Sequence, residues 1–166
     1  MKPLHLPENF SIPTLIVKEQ YVLEPLAPVH NEMDYDAWMS SRAELKGIFG
    51  PTNAWPGEVV SLEQNLSDLK RHYQEFIDRE AFAYTILSPD RKQCIGCLYI
   101  RPTPIADYDC RVDFWFRTSA KHLEPVFFND LELWLSYEWK FEQIAYPGRS
   151  LPWEEYNQRA GTDELR

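Results

Sequence analysis

The sequence predicts an α/β fold of the mixed α+β kind, with central antiparallel strands flanked by helices. Three observations predict it. Residues 61–79 are capped and carry apolar side chains at helical spacing. Three runs of β-type composition follow, at 81–87, 94–101 and 110–118, joined by short polar segments. A second amphipathic stretch over 125–139 then closes the block. At 166 residues and 44% hydrophobic composition, the chain is large enough to bury a core and reads as one domain over 1–166.

Each element has its own reason. Residues 1–15 form an arm punctuated by Pro3, Pro7 and Pro13. Residues 16–23 read as a strand or hairpin, ended by Pro25 and Pro28. Residues 31–45 read as a helix with Met33, Ala37, Trp38 and Leu45 inward. The stretch 47–57 is a loop of glycines and prolines anchored by Phe49 and Trp55. Ser61, with Gln64 three residues on, caps the next helix. Leu62, Leu66, Leu69, Tyr73, Phe76 and Ile77 form its apolar stripe. The turn at 88–91 makes a hairpin of the first two central strands. On the third strand Val112, Phe114 and Phe116 share one face, and Asp113, Trp115 and Arg117 the other. Pro125 suits the first turn of the helix over 125–139, which turns Phe127, Leu131, Trp134 and Leu135 inward and Asn129, Glu132 and Ser136 outward. A short strand over 143–146, a Pro147-Gly148 turn, a short helix over 152–159 and a frayed tail over 160–166 complete the chain.

Composition excludes several functions. The net charge of −9 argues against a nucleic-acid partner, whose phosphates demand a basic face. No apolar run approaches the roughly 20 residues of a membrane helix, and residues 1–10 lack an apolar signal core, so a cytoplasmic protein is expected. Cys94 and Cys97 form a CxxC within a predicted strand, where residues three apart face opposite ways. Both are therefore expected to be structural thiols. The four histidines lack ligand spacing, and no metal site is expected. GxSxG, P-loop, HExxH and dinucleotide GxGxxG motifs are absent. Residues 90–122 carry six basic against four acidic side chains, a local surplus that suits a small polyanion or ordinary strand ends.

Three segments carry a resemblance to a known family: Phe82-Ala-Tyr-Thr-Ile-Leu-Ser-Pro-Asp90, Ile95-Gly-Cys-Leu-Tyr-Ile-Arg-Pro102 and Val112-Asp-Phe-Trp-Phe-Arg117. Followed by a helix that ends Leu133-Trp-Leu135, they resemble the central strands and cofactor helix of the GNAT superfamily of acetyltransferases. The resemblance spans roughly residues 21–146. It implies a GNAT-like acyl-CoA N-acyltransferase fold and an N-acetyltransferase that uses acetyl-CoA to acetylate a primary amine by direct attack. The amine belongs to a small molecule or a protein, with a homodimer left open.

By the same resemblance, Phe116, Arg117 and Thr118 would lie along the pantetheine arm. Ser119, Lys121 and His122 would meet the diphosphate. Asp113 stands where a base would act, and Tyr156 where an acid tyrosine would protonate the leaving thiolate; packing and solvation are the plainer readings of both. Trp55 would border the acceptor pocket or cover the core. The chain departs from the family at the diphosphate loop, Q/R-x-x-G-x-G/A. Started at Arg117, the motif puts Ala120 and His122 at the small positions; started at Ser119, it puts His122 and Glu124 there. No glycine occurs between positions 109 and 141, so the loop is degenerate. A GNAT-fold binding or interaction module without acetyl-CoA turnover is the alternative.

Overall fold

The protein is described here by a computed structural model covering residues 2–161. Six strands form one sheet in chain order: β1 (Ile16–Val17), β2 (Val22–Pro25), β3 (Phe82–Leu87), β4 (Cys94–Arg101), β5 (Cys110–Phe116) and β6 (Ile144–Ala145). Every pairing is antiparallel except β5 with β6, which is parallel. The expected helices are present as α1 (Asn31–Ser40), α2 (Arg42–Leu45), α3 (Leu62–Ile77), α4 (Glu124–Tyr137) and α5 (Trp153–Ala160). The tail expected over 160–166 falls mostly outside the described residues.

Alternation along the strands divides the core between the two faces of the sheet. On one face Phe114, Phe116, Phe82 and Leu98 pack against α4 through Phe127, Leu131 and Leu135. The arm joins this face: Leu4 is buried, Phe10 packs on Trp139, and Arg79 donates to the carbonyls of Pro7 and Phe10. On the other face Cys97, Tyr99 and Trp115 meet Trp38 and Ala37 of α1 and Leu69 of α3. Helix α3 starts as expected, with the Ser61 hydroxyl accepting from the Gln64 amide at 3.1 Å.

Three expectations need correction. Cys94 and Cys97 do not face opposite ways; both lie on the Trp115 face. Leu87 pairs with Cys94 but Ile86 pairs with Gly96, so Ile95 is an extra residue, a bulge that flips the alternation. Gly96 is required beside it, because a Cβ there would collide with the Trp115 carbonyl. All three cysteines are free and buried. Second, the helix over 31–45 breaks at Ser41, whose side chain accepts from the Thr118 amide at 2.7 Å and so ties the break to the end of β5. Third, Leu62, Tyr73 and Ile77 of α3 are exposed. Its buried positions instead include Asn65, Leu69 and Phe76, with His72 between them. Two polar residues thus occupy a stripe that amphipathicity alone would fill with apolar ones.

Candidate functional site

The sheet opens at its parallel pair. Only Cys110–Ile144 and Arg111–Ala145 are in register, so β6 parts from β5 after two residues. The Arg117 amide donates to Ile95, which fixes the antiparallel alternation and turns the peptide groups of Val112, Phe114 and Phe116 toward the abandoned edge. That wedge is occupied. Arg149 donates to the Phe114 carbonyl at 2.8 Å, lies 3.5 Å over the Phe114 ring and pairs with Glu124 at 3.4 Å. Its position follows from the turn at Pro147 and Gly148. Gly148 has φ +77°, and a side chain there would strike the Trp153 indole.

Beyond β5 the chain winds into a 3₁₀ turn, Thr118–Leu123, that runs straight into α4. An amide nest for a diphosphate needs open N–H groups at such a helix start. Here the Thr118 amide is held by Ser41 and the Ala120 amide by the Arg117 carbonyl. Pro125 has no N–H, and Glu124 sets a carboxylate in the first turn of α4. Lys121 and His122 are exposed beside it, and Lys121 supplies positive charge. The Arg117 guanidinium is engaged with the Cys94 carbonyl, the Ser40 hydroxyl and Asp36, and Phe116 is buried in the core. Of the six positions expected along the cofactor, Lys121 and His122 are thus exposed side chains, whereas Phe116, Arg117 and Thr118 are tied into the fold. Ser119 is exposed on the turn.

The two expected catalytic residues sit together, one rank behind the wedge. Asp113 is buried and receives Arg111 Nε at 2.7 Å and Arg101 Nη2 at 3.4 Å. It is neither a solvated strand carboxylate nor an unpaired base. Tyr156 is fully buried, with its hydroxyl 3.0 Å from Thr103 Oγ1 and its ring 5.1 Å from the Arg111 guanidinium. Arg111 therefore links the two.

On the other side of β5 lies a cavity of about 210 Å³. Six rings wall it: Trp38, Phe49, Trp55, His72, Tyr99 and Trp115. Trp55, expected either to border a pocket or to cover the core, does both, contacting Trp38, Phe49 and Trp115 at centroid distances of 5.7, 5.1 and 5.8 Å. The polar groups facing the cavity are held by one another. Asn65 donates to Asp34 Oδ2 at 3.1 Å while its carbonyl accepts from the Trp38 indole at 3.0 Å. The Trp115 indole donates to the Tyr99 hydroxyl at 3.1 Å.

Asp34 is 4% exposed, and desolvation pushes its carboxyl up to about 6 against the opposing pull of the Asn65 hydrogen bond. Burial likewise pulls His72 down, leaving it a neutral imidazole. Sequence reasoning missed Asp34, Asn65 and His72. Their signal is positional. Asp34, Ala37, Trp38 and Ser41 share one helical face, as do Asn65, Leu69, His72 and Phe76, so polar groups stand where apolar ones pack.

Comparison with known proteins bears on this arrangement. No family model and no curated protein sequence matches the chain. Solved structures do. The ribosomal-protein-S5-alanine acetyltransferase from Vibrio fischeri superposes with a TM-score of 0.63 at 13% identity, over 90% of this chain and 82% of its own. The microcin C7 self-immunity acetyltransferase MccE, in complex with acetyl-CoA and AMP, gives 0.63 at 14% identity, over 92% and 83%. RimL, a ribosomal L7/L12 alpha-N-protein acetyltransferase in complex with coenzyme A, gives 0.58 at 16%, over 73% and 66%. At such identities the likeness establishes the fold, which is that of the GNAT acetyltransferases, as the three central strands imply. Among the described residues no helix is long and apolar enough to cross a membrane, and no cluster of three or more His, Cys, Asp or Glu side chains is set to hold a metal.

Proposed function

We propose that the chain is an N-acetyltransferase that acetylates a primary amine bound in the aromatic cavity beside β5. Asp34 carries the reading: a buried carboxyl, pushed up to about 6, facing a ring-lined cavity beside the strand along which the GNAT resemblance puts the cofactor. Acetyl-CoA would supply the activated acetyl group as a thioester. Lys121 and His122 would meet its diphosphate, and the peptide groups of Val112, Phe114 and Phe116 its pantetheine arm. The residues present fit the arm once Arg149 withdraws, and they do not fit an amide-held diphosphate, so charged side chains must carry that end.

Asp34 pairs with the incoming ammonium and takes its proton, leaving the nitrogen lone pair free to attack the acetyl carbon. Asn65 holds the carboxylate in place and Trp38 holds Asn65. The surrounding rings lower the local polarity, which strengthens the pairing. Tyr156, bonded at Thr103 and stacked on Arg111, serves in this reading as the proton donor to the leaving sulfur, and Asp113 positions Arg111 rather than removing a proton.

Coenzyme A release from acetyl-CoA in the presence of small amines tests the reading. Wild type should turn over, and Asp34→Asn should lose about a hundred-fold or more, the low end of general-base effects. No release with wild type at millimolar acetyl-CoA would replace it with the second reading, a binding module without acetyl-CoA turnover. Arg149 in the wedge and the closed 118–123 turn favour that one.

A further inference from the structure

We infer that the cavity beside β5 takes a free amino acid with an aromatic or bulky apolar side chain, gripping its ammonium at Asp34 and its carboxylate at Arg101. The inference names the acceptor class for the acetyltransferase reading and rests on that reading only for catalysis, since the binding stands alone.

Size is the first argument. About 210 Å³ holds on the order of seven waters at ~30 Å³ each, below the ~300 Å³ at which pockets for larger ligands begin. A single amino acid fills it. The wall asks for an apolar occupant as well. The indoles of Trp38 and Trp115 are satisfied by Asn65 and Tyr99, so these rings present apolar faces and ask for an apolar body.

Charge is the third argument. Asp34 and Asp68 line the cavity with Arg71, Arg101 and Arg111. Glu75 pairs with Arg71 at 3.0 Å and Asp113 with Arg111 at 2.7 Å. A zwitterion would offer a partner of opposite sign to both Asp34 and the third guanidinium. Arg101 is the least engaged of the three. Its Nη2 reaches Asp113 only at 3.4 Å, and its buried Nε finds no hydrogen-bond partner among the described residues. A buried donor left unmet is costly, and a ligand carboxylate would meet it.

Placement is the fourth. Asp34 and Arg101 line the same cavity. Arg101 ends β4, but its side chain folds back, with Cζ 5.0 Å from the Tyr99 ring and 5.2 Å from the Phe49 ring. The guanidinium thus lies against the ring wall, and a ligand that fills so small a cavity would lie beside both charged groups. A protein N-terminus, which has no α-carboxylate, would leave Arg101 unmet.

Calorimetry without acetyl-CoA tests it, with L-phenylalanine, phenethylamine and 3-phenylpropionate as probes on wild type. The amino acid should bind about ten-fold or more tighter than either truncated probe, the span of one charge-assisted bond. Arg101→Gln should bring L-phenylalanine and phenethylamine level, and Asp34→Asn should do the same for L-phenylalanine and 3-phenylpropionate. Phenethylamine binding as tightly as L-phenylalanine to wild type would overturn the inference, as would no heat from any probe. Coenzyme A release with the same probes separates the two proposals. Preferential binding of the amino acid without release sinks the enzyme and keeps the ligand class. Release with phenethylamine and no preference for the amino acid does the reverse.

Discussion

The two sides of β5 are built oppositely. On the β6 side several groups are already engaged: Arg149 caps the Phe114 carbonyl, Ser41 holds the Thr118 amide, and the 118–123 turn closes on itself. On the Trp115 side the rings leave about 210 Å³ open, burial pushes the Asp34 carboxyl up to about 6, and a buried guanidinium nitrogen finds no partner among the described residues. The first arrangement lowers the energy of the chain as it stands. The second leaves energy available to a ligand. Stability and binding are thus segregated across a single strand, and in this fold the cofactor is expected on the satisfied side.

Asp34→Asn should sharpen this contrast most, because it acts in opposite directions on activity and stability. Turnover should fall about a hundred-fold. The folded carboxyl titrates near 6 against an ordinary 3.8, so the folded state holds its proton more tightly, and the stability this contributes is complete below 3.8 and lost as pH rises through 6. A shift of about two units corresponds to about 3 kcal/mol. Chemical denaturation at pH 4 and pH 8 should show wild type losing roughly that amount relative to Asp34→Asn. An equal loss in both proteins would remove Asp34 as the cause.

Arg149→Ala probes the satisfied side. Loss of a charge-assisted bond to a half-buried carbonyl should cost about 1.5–3 kcal/mol of stability, read by urea melts. The same variant should bind coenzyme A several-fold more tightly if the arginine stands where the pantetheine arm must lie. Weaker binding would make Arg149 a ligand of the cofactor and break the contrast.

The smallest effect is expected at Lys121. Its charge is exposed and screened, so Lys121→Ala should weaken acetyl-CoA binding only a few-fold, and less in high salt. A loss insensitive to salt would mean that the 118–123 turn reorganises around the diphosphate.

Most of the fold was legible because period and capping are local. The Ser61 cap, the alternation of Val112, Phe114 and Phe116, and the Pro125 helix start all appear where the residues put them. What was illegible depends on long-range registry. The extra residue at Ile95 reverses the Cys94 alternation, and only the pairing with β3 reveals it. The inward turn of Asp34, Asn65 and His72 contradicts the polar-outside rule, since a cavity supplies what solvent otherwise would. Arg149 looks like turn decoration until its contact 35 residues back, at Phe114, is seen.

The bulge at Ile95 also gives the molecule a clock. It places two thiols on one face of the buried sheet, where burial pushes Cys94 up to about 12 and Cys97 well above its ordinary value, and Cys110 is shielded in the other half of the core. Thiolate is the reactive form, so an alkylating reagent meets almost none while the sheet is closed. Labelling in native buffer therefore advances only as fast as β4 and β5 separate. When reagent is scarce the rate follows the open population, and when it is abundant it follows the opening step itself. Any cysteine introduced at an exposed position would react first and alone.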